Sequence, residues 1–123
     1  MMICYDVRFP VWARNRGDYD LILCVASWPA PRAAAWDALL RARAIENVCY
    51  VAGVNRVGDD PACQYAGGTV LYDFVGSPLA EARPGVEETI GGRIDRAALD
   101  AFRTKFPALG DADPFTLTER YDK

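Results

Sequence analysis

The chain has 123 residues, 51% of them hydrophobic and 25% charged, enough for one modest core and one domain at most. A net charge of −3 without a basic stripe excludes a nucleic-acid partner, and no apolar run approaches the roughly 20 residues that span a bilayer, which excludes a membrane partner. Four cysteines without a CxxC spacing, and no histidine, argue against a metal site and against any Cys-His or Ser-His dyad within the chain, so no cofactor is expected. Met1-Met2-Ile3 runs into charged residues without a signal-peptide pattern, so the expected location is cytoplasmic.

In chain order, residues 1–5 read as a strand that delivers Cys4 to the edge of a charged, turn-forming segment, an unusual place for a structural cysteine. Phe9 to Arg16 reads as a short helix with Val11, Trp12 and Ala13 on its apolar side, ended by Gly17 and Asp18. The uninterrupted apolar run Leu21 to Ala26 predicts a strand buried on both faces, and Ser27 to Pro31 breaks it into a loop. Arg32 to Asn47 holds no Gly or Pro and predicts a helix with Trp36, Leu39, Leu40 and Ala44 on one face, and Arg41, Arg43 and Glu46 mainly outside it. Val48 to Val54 is a second apolar strand, so the two strands and the helix make a parallel β-α-β unit with Asn55-Arg56 at its carboxyl end.

Further on, Thr69–Phe74 and Pro78–Ala82 flank a hairpin turn at Val75-Gly76-Ser77, and Glu88 to Ile94 offers a strand weakened by Gly91-Gly92. Asp95 caps a helix through about Phe106 with Ala98, Leu99, Phe102 and Phe106 as its apolar face, and residues 107–123 form an extended arm. Cys24 and Cys49 lie inside apolar runs and are expected in the core, while Cys63, in the polar loop Asp59 to Gln64, is expected near the surface.

Four segments in register, Ile3-Cys4-Tyr5-Asp6-Val7-Arg8-Phe9-Pro10, Ala26-Ser27-Trp28-Pro29, Leu40 to Asn47 and Asn55-Arg56-Val57-Gly58, resemble the nitrilase (carbon-nitrogen hydrolase) superfamily, and Val11 to Asn15 with Asp111 to Leu117 resemble its omega-amidase branch. The resemblance implies an α/β fold, the C-terminal half of an α-β-β-α sandwich, so that residues 1–123 are a partial domain. It implies a Glu-Lys-Cys catalytic set acting on a small-molecule amide through a thioester. Cys4 matches the nucleophile and the backbone N–H of Tyr5 an oxyanion donor, whereas the catalytic glutamate and lysine have no counterpart in the sequence. Trp28 resembles a substrate-pocket residue. Ala35 stands where the family usually has histidine. Members of the superfamily commonly pair through helices corresponding to Val11–Arg16 and Arg32–Asn47, which implies a homo-oligomer with Arg41 and Arg43 toward the partner.

Each of these residues has a plainer reading. A cysteine ending a strand is most often packing, and a Trp beside a proline often plugs a sheet edge. Arg43 and Glu46, one helical turn apart, are expected to be a structural ion pair, and Asp6 and Arg8 to brace the turn around Cys4. The expectation is a fragment of an omega-amidase, inactive by itself. The rivals are a non-catalytic α/β binding or assembly module and another amidase or nitrilase branch.

Overall fold

In the computed structural model, which describes residues 1–118, the carboxyl ends of three parallel strands lie side by side. Met2–Ile3 (β1) pairs with Leu21–Ala26 (β2), Met2 opposite Cys24. A helix of Ala33–Asn47 (α1) then leads into Tyr50–Asn55 (β3), which pairs with β2 along its whole length from Leu21 opposite Tyr50 to Ala26 opposite Asn55. Val57–Asp59 (β4) and Gln64–Ala66 (β5) form a small separate hairpin. Val70–Tyr72 (β6) returns antiparallel beside β3, and Pro78–Glu81 (β7) closes the sheet in the order β1-β2-β3-β6-β7.

Helix α1 forms because its alanine-rich stretch lacks Gly and Pro, while Pro29 and Pro31 keep the preceding residues out of it. It lays Trp36, Leu40 and Ala44 on the face of the sheet that carries Ile22, Cys24, Val51 and Tyr72. The approach is close enough to require Gly53, where a Cβ would stand 2.2 Å from Cδ1 of Leu40. Val48 ends the helix with a left-handed φ of 44°, costly for a β-branched residue, and its carbonyl accepts two hydrogen bonds from Arg103 at 3.0 and 2.8 Å. Arg103 belongs to Arg96–Lys105 (α2), which Asp95 caps by accepting from the Ala98 N–H at 2.9 Å.

The expectation that β2 is buried on both faces needs correction. Strand alternation points Ile22 and Cys24 toward α1, but Leu23 and Val25 are 45% and 44% exposed on the other face, together with Ile3 and Val54. Leu99 and Phe102 of α2, with Phe74, cover only Leu21 and Tyr50 at the start of those strands.

Four further elements differ from expectation. The first strand is only two residues long, because Cys4–Arg8 closes into a 3-10 turn. Residues 9–16 form a loose turn, with Val11 and Trp12 exposed and Asn15 drawn inward by hydrogen bonds to Asn47 and Tyr19. Residues 88–94 join no ladder: Gly92 passes so near Leu71 that a Cβ would lie 2.6 Å from its Cδ2. The β4–β5 hairpin was not expected, since its turn residues read as an ordinary polar loop. The arm beyond Pro107 takes a short 3-10 turn at Ala108–Asp111 and then runs irregularly to residue 118; the rest of the expected arm, 119–123, lies outside the described residues.

Candidate active site

Cys4 stands at the first position of the turn that follows β1, with φ at 47°. L-residues avoid this region by roughly 1–2 kcal/mol, and strain of this kind persists only where surrounding structure enforces it. Here the enforcement is local and tertiary. Asp6 accepts the Ile3 N–H on Oδ2 at 2.9 Å and the Phe9 N–H on its backbone oxygen at 3.0 Å, which locks the turn. Val7 is fully buried, and its carbonyl accepts from Arg43 Nη2 at 2.6 Å.

Arg43 therefore corrects the sequence reading. It does not lie outside the buried stripe or toward a partner: it is 3% exposed, on the same face as Trp36, Leu40 and Asn47, and its Nη1 donates to Glu46 Oε1 at 2.6 Å. Together the two contacts tie Glu46 and the turn that bears Cys4 to one side chain.

The Cys4 thiol is half-buried and faces a cleft of about 370 Å3 lined by Cys4, Tyr5, Arg8, Ser27, Trp28, Pro29 and Arg32. It donates to the Ser27 carbonyl at 4.0 Å, a long contact for a hydrogen bond. Tyr5 is the second residue of the turn, a position whose backbone N–H has no acceptor within the helix. Its ring is exposed and packs edge-on against Phe9 at 5.4 Å.

Trp28 is only 3% exposed. Its indole N–H is committed to the Arg32 carbonyl at 2.7 Å and its ring lies 5.5 Å from that of Trp36, so it offers the cleft apolar surface rather than a donor. The guanidinium of Arg8 lies over the Trp28 ring at 4.8 Å and near that of Tyr5 at 5.8 Å.

Asn55, which the sequence placed at a strand's carboxyl end without giving it a role, fixes this loop. Its side chain accepts the Trp28 N–H at 2.7 Å and donates to the Trp28 carbonyl at 3.0 Å and to the Gly67 carbonyl at 2.6 Å. The available signal was a polar residue ending an apolar strand.

The other thiols are placed differently. Cys24 and Cys49 are fully buried, and burial pushes them up to about 11 and about 12, so both stay protonated near neutral pH. Cys63 is half-buried in the β4–β5 turn, its N–H held by Asp60 at 2.8 Å. Among the described residues no group of three or more acidic or cysteine side chains could hold a metal ion, and no helix is long and apolar enough to cross a membrane.

The turn and Ser27-Trp28 follow β1 and β2, and Asn55 ends β3, which makes this an α/β protein with its cleft at the carboxyl ends of parallel strands, where open α/β sheets bind ligands. The chain belongs to the carbon-nitrogen hydrolase family, whose model matches residues 1–104. It is 52% identical over 116 residues to an omega-amidase (YafV) of Yersinia enterocolitica, covering 94% of this chain and 45% of that protein. It is 40% identical to the 2-oxoglutaramate amidase of Bacillus subtilis, covering 89% and 43%. The crystal structure of XC1258 from Xanthomonas campestris, a CN-hydrolase superfamily protein with an arsenic adduct in its active site, superposes with a TM-score of 0.90 at 50% identity, over 94% of this chain and 47% of that one. The chain thus spans about half the length of the curated relatives it matches.

Proposed function

We propose that the chain carries the nucleophile and part of the substrate pocket of an omega-amidase. The carrying observation is the geometry of Cys4: a thiol held at positive φ, open to a cleft and next to an unpaired backbone N–H. Omega-amidase and 2-oxoglutaramate amidase relatives at 52% and 40% identity support the substrate class. The arsenic adduct in the related structure fits a site built on sulfur, for which arsenic has high affinity.

In this reading the Cys4 thiolate attacks the amide carbonyl, and the Tyr5 N–H donates to the oxyanion that forms. Collapse of the tetrahedral species expels ammonia once the leaving nitrogen has gained a proton, and leaves a Cys4 thioester. Water adds to the thioester, and its breakdown returns the thiol and a carboxylic acid. The lining of the cleft holds no glutamate or lysine, and in this reading the base and the second oxyanion donor of the family's catalytic set are supplied by a further segment. The exposed row of Ile3, Leu23, Val25 and Val54 is where a second sheet of an α-β-β-α sandwich would pack, with this chain as its nucleophile-bearing C-terminal half. Arg8, already at the cleft, would face the carboxylate end of the substrate.

The test is to co-express the chain with a segment supplying the family's glutamate and lysine and to follow ammonia release from an omega-amide, with intact-mass detection of the thioester. Turnover is expected, and Cys4→Ala should abolish both signals while Cys24→Ala and Cys49→Ala mainly lower stability. Turnover that survives Cys4→Ala, or none in the complemented parent, refutes the reading.

A further inference from the structure

We propose that Arg32 is a specificity-determining residue of the Cys4 cleft, selecting substrates whose far end is a carboxylate with no ammonium group beside it. The proposal deepens the amidase reading and rests on it for the identity of the reacting end.

Arg32 lines the same cleft as Cys4, yet it comes from a different part of the fold. Its backbone is fixed on both sides: its carbonyl accepts the Trp28 indole N–H at 2.7 Å, and its N–H donates to the Pro29 carbonyl at 3.0 Å. The side chain is exposed. Ion pairs among the described residues engage Arg41, Arg43, Arg56, Arg83, Arg96 and Arg103, and none engages Arg32 or Arg8. The cleft lining contains no carboxylate.

Arg32 also sits immediately before α1, whose first turn carries no acidic residue, so the positive end of the helix adds to the same field. Arg8 and Arg32 differ in freedom. Arg8 lies against the Trp28 ring, whereas Arg32 has no side-chain ion pair or hydrogen bond among the described residues and can present its planar fork to a carboxylate. A rim with two guanidinium groups and no acid attracts an anionic tail and repels an ammonium group, which separates an omega-amide of an oxo acid from that of an amino acid.

The test uses the chain itself with Cys63→Ser, which removes the other accessible thiol. Iodoacetate, which carries a carboxylate, and iodoacetamide, its neutral counterpart, both alkylate Cys4 by thiolate displacement of iodide. The ratio of their rates at Cys4, followed by peptide mass mapping, reads the field in the cleft rather than the reactivity of the thiol. Arg32→Ala should lower the iodoacetate-to-iodoacetamide ratio roughly two- to fivefold, the scale of one exposed ion pair. Arg32→Lys should retain most of the ratio, and about 0.5 M salt should remove most of the difference between parent and Arg32→Ala. An unchanged ratio in Arg32→Ala overturns the assignment, and so does an equal fall in both rates. Failure of the amidase reading looks different: the ratio would respond to Arg32 while no omega-amide released ammonia in the complemented protein.

Discussion

Replacing Arg43 with methionine tests whether the turn that carries Cys4 is held from behind. The substitution keeps the apolar stem and deletes two hydrogen bonds, to the Val7 carbonyl and to Glu46, both 2.6 Å long. The Val7 carbonyl belongs to a fully buried residue, and leaving it unpaired costs about 1–3 kcal/mol. Glu46 is different: its side chain is 36% exposed, so water can replace the lost partner, and the 3–5 kcal/mol typical of breaking a fully buried pair is not reached. The Nε of Arg43 has no partner among the described residues, and removing it returns part of the cost. The net expectation is a loss of about 1–3 kcal/mol, which at a urea slope of about 2 kcal/mol/M lowers the midpoint by roughly 0.5–1.5 M. Glu46→Gln, which keeps an acceptor for Nη1, should cost less than about 1 kcal/mol. The second readout is iodoacetamide alkylation in folded protein: Arg43→Met should change the rate at Cys4 while Cys24 and Cys49 stay protected. Equal urea midpoints for parent and Arg43→Met, or uniform exposure of all the cysteines, would refute the reasoning.

Gly53→Ala should destabilise by about 1–3 kcal/mol through overpacking, since its Cβ would meet Leu40 Cδ1 at 2.2 Å and Trp36 Cζ2 at 3.0 Å; a urea midpoint equal to the parent's would show that α1 does not sit this close. Stability should fall as pH rises from 9 toward 12, because the unfolded chain releases the Cys24 and Cys49 protons near the ordinary value of 9.0 while the fold holds them to about 11 and about 12. Burial raises Tyr19 and Tyr72 as well, so the Cys24→Ala, Cys49→Ala double variant should flatten that slope only in part, and a pH-independent urea midpoint over this range would contradict the burial of all four groups. Asn55→Ala should cost about 2–4 kcal/mol by releasing both backbone groups of Trp28, and should red-shift tryptophan emission in a Trp12→Phe background; unchanged emission would mean that the Trp28 loop stands without it.

What the sequence made legible follows from what pattern can encode. Leu21–Ala26 was readable to the residue because a six-residue apolar run has little choice but a strand, and α1 because fifteen residues avoid every helix breaker. The run could not say which face is covered, since Leu23 and Ile22 look alike until a partner layer is placed. Arg43 was misplaced because its charge outweighed its spacing: positions 36, 40, 43 and 47 share a helical face, and that arithmetic pointed inward. Cys4 was singled out from its neighbours, but the left-handed turn was not, because no glycine marks it. The short strand that resulted depends on Asp6, Val7 and Arg43 acting together across 36 positions of sequence. The helix expected over 9–16 failed for a similar reason: Asn15 spends its polar groups on Asn47 and Tyr19, contacts that propensity does not contain.

Strand polarity accounts for why these separate pieces meet. Parallel strands end on the same side of a sheet, so the residues that leave β1, β2 and β3 are neighbours although they lie about 25 positions apart in the chain. Each exit contributes one component: a strained cysteine from the first, an aromatic wall from the second, and from the third the asparagine that ties the second down. The antiparallel return adds the last support, since Thr69 just before β6 accepts the Asn55 N–H at 3.1 Å and Gly67 takes its side-chain amide. The same arrangement explains why the two cationic side chains reach one cleft, Arg8 from the turn after β1 and Arg32 from the entry to α1, with no acidic residue between them.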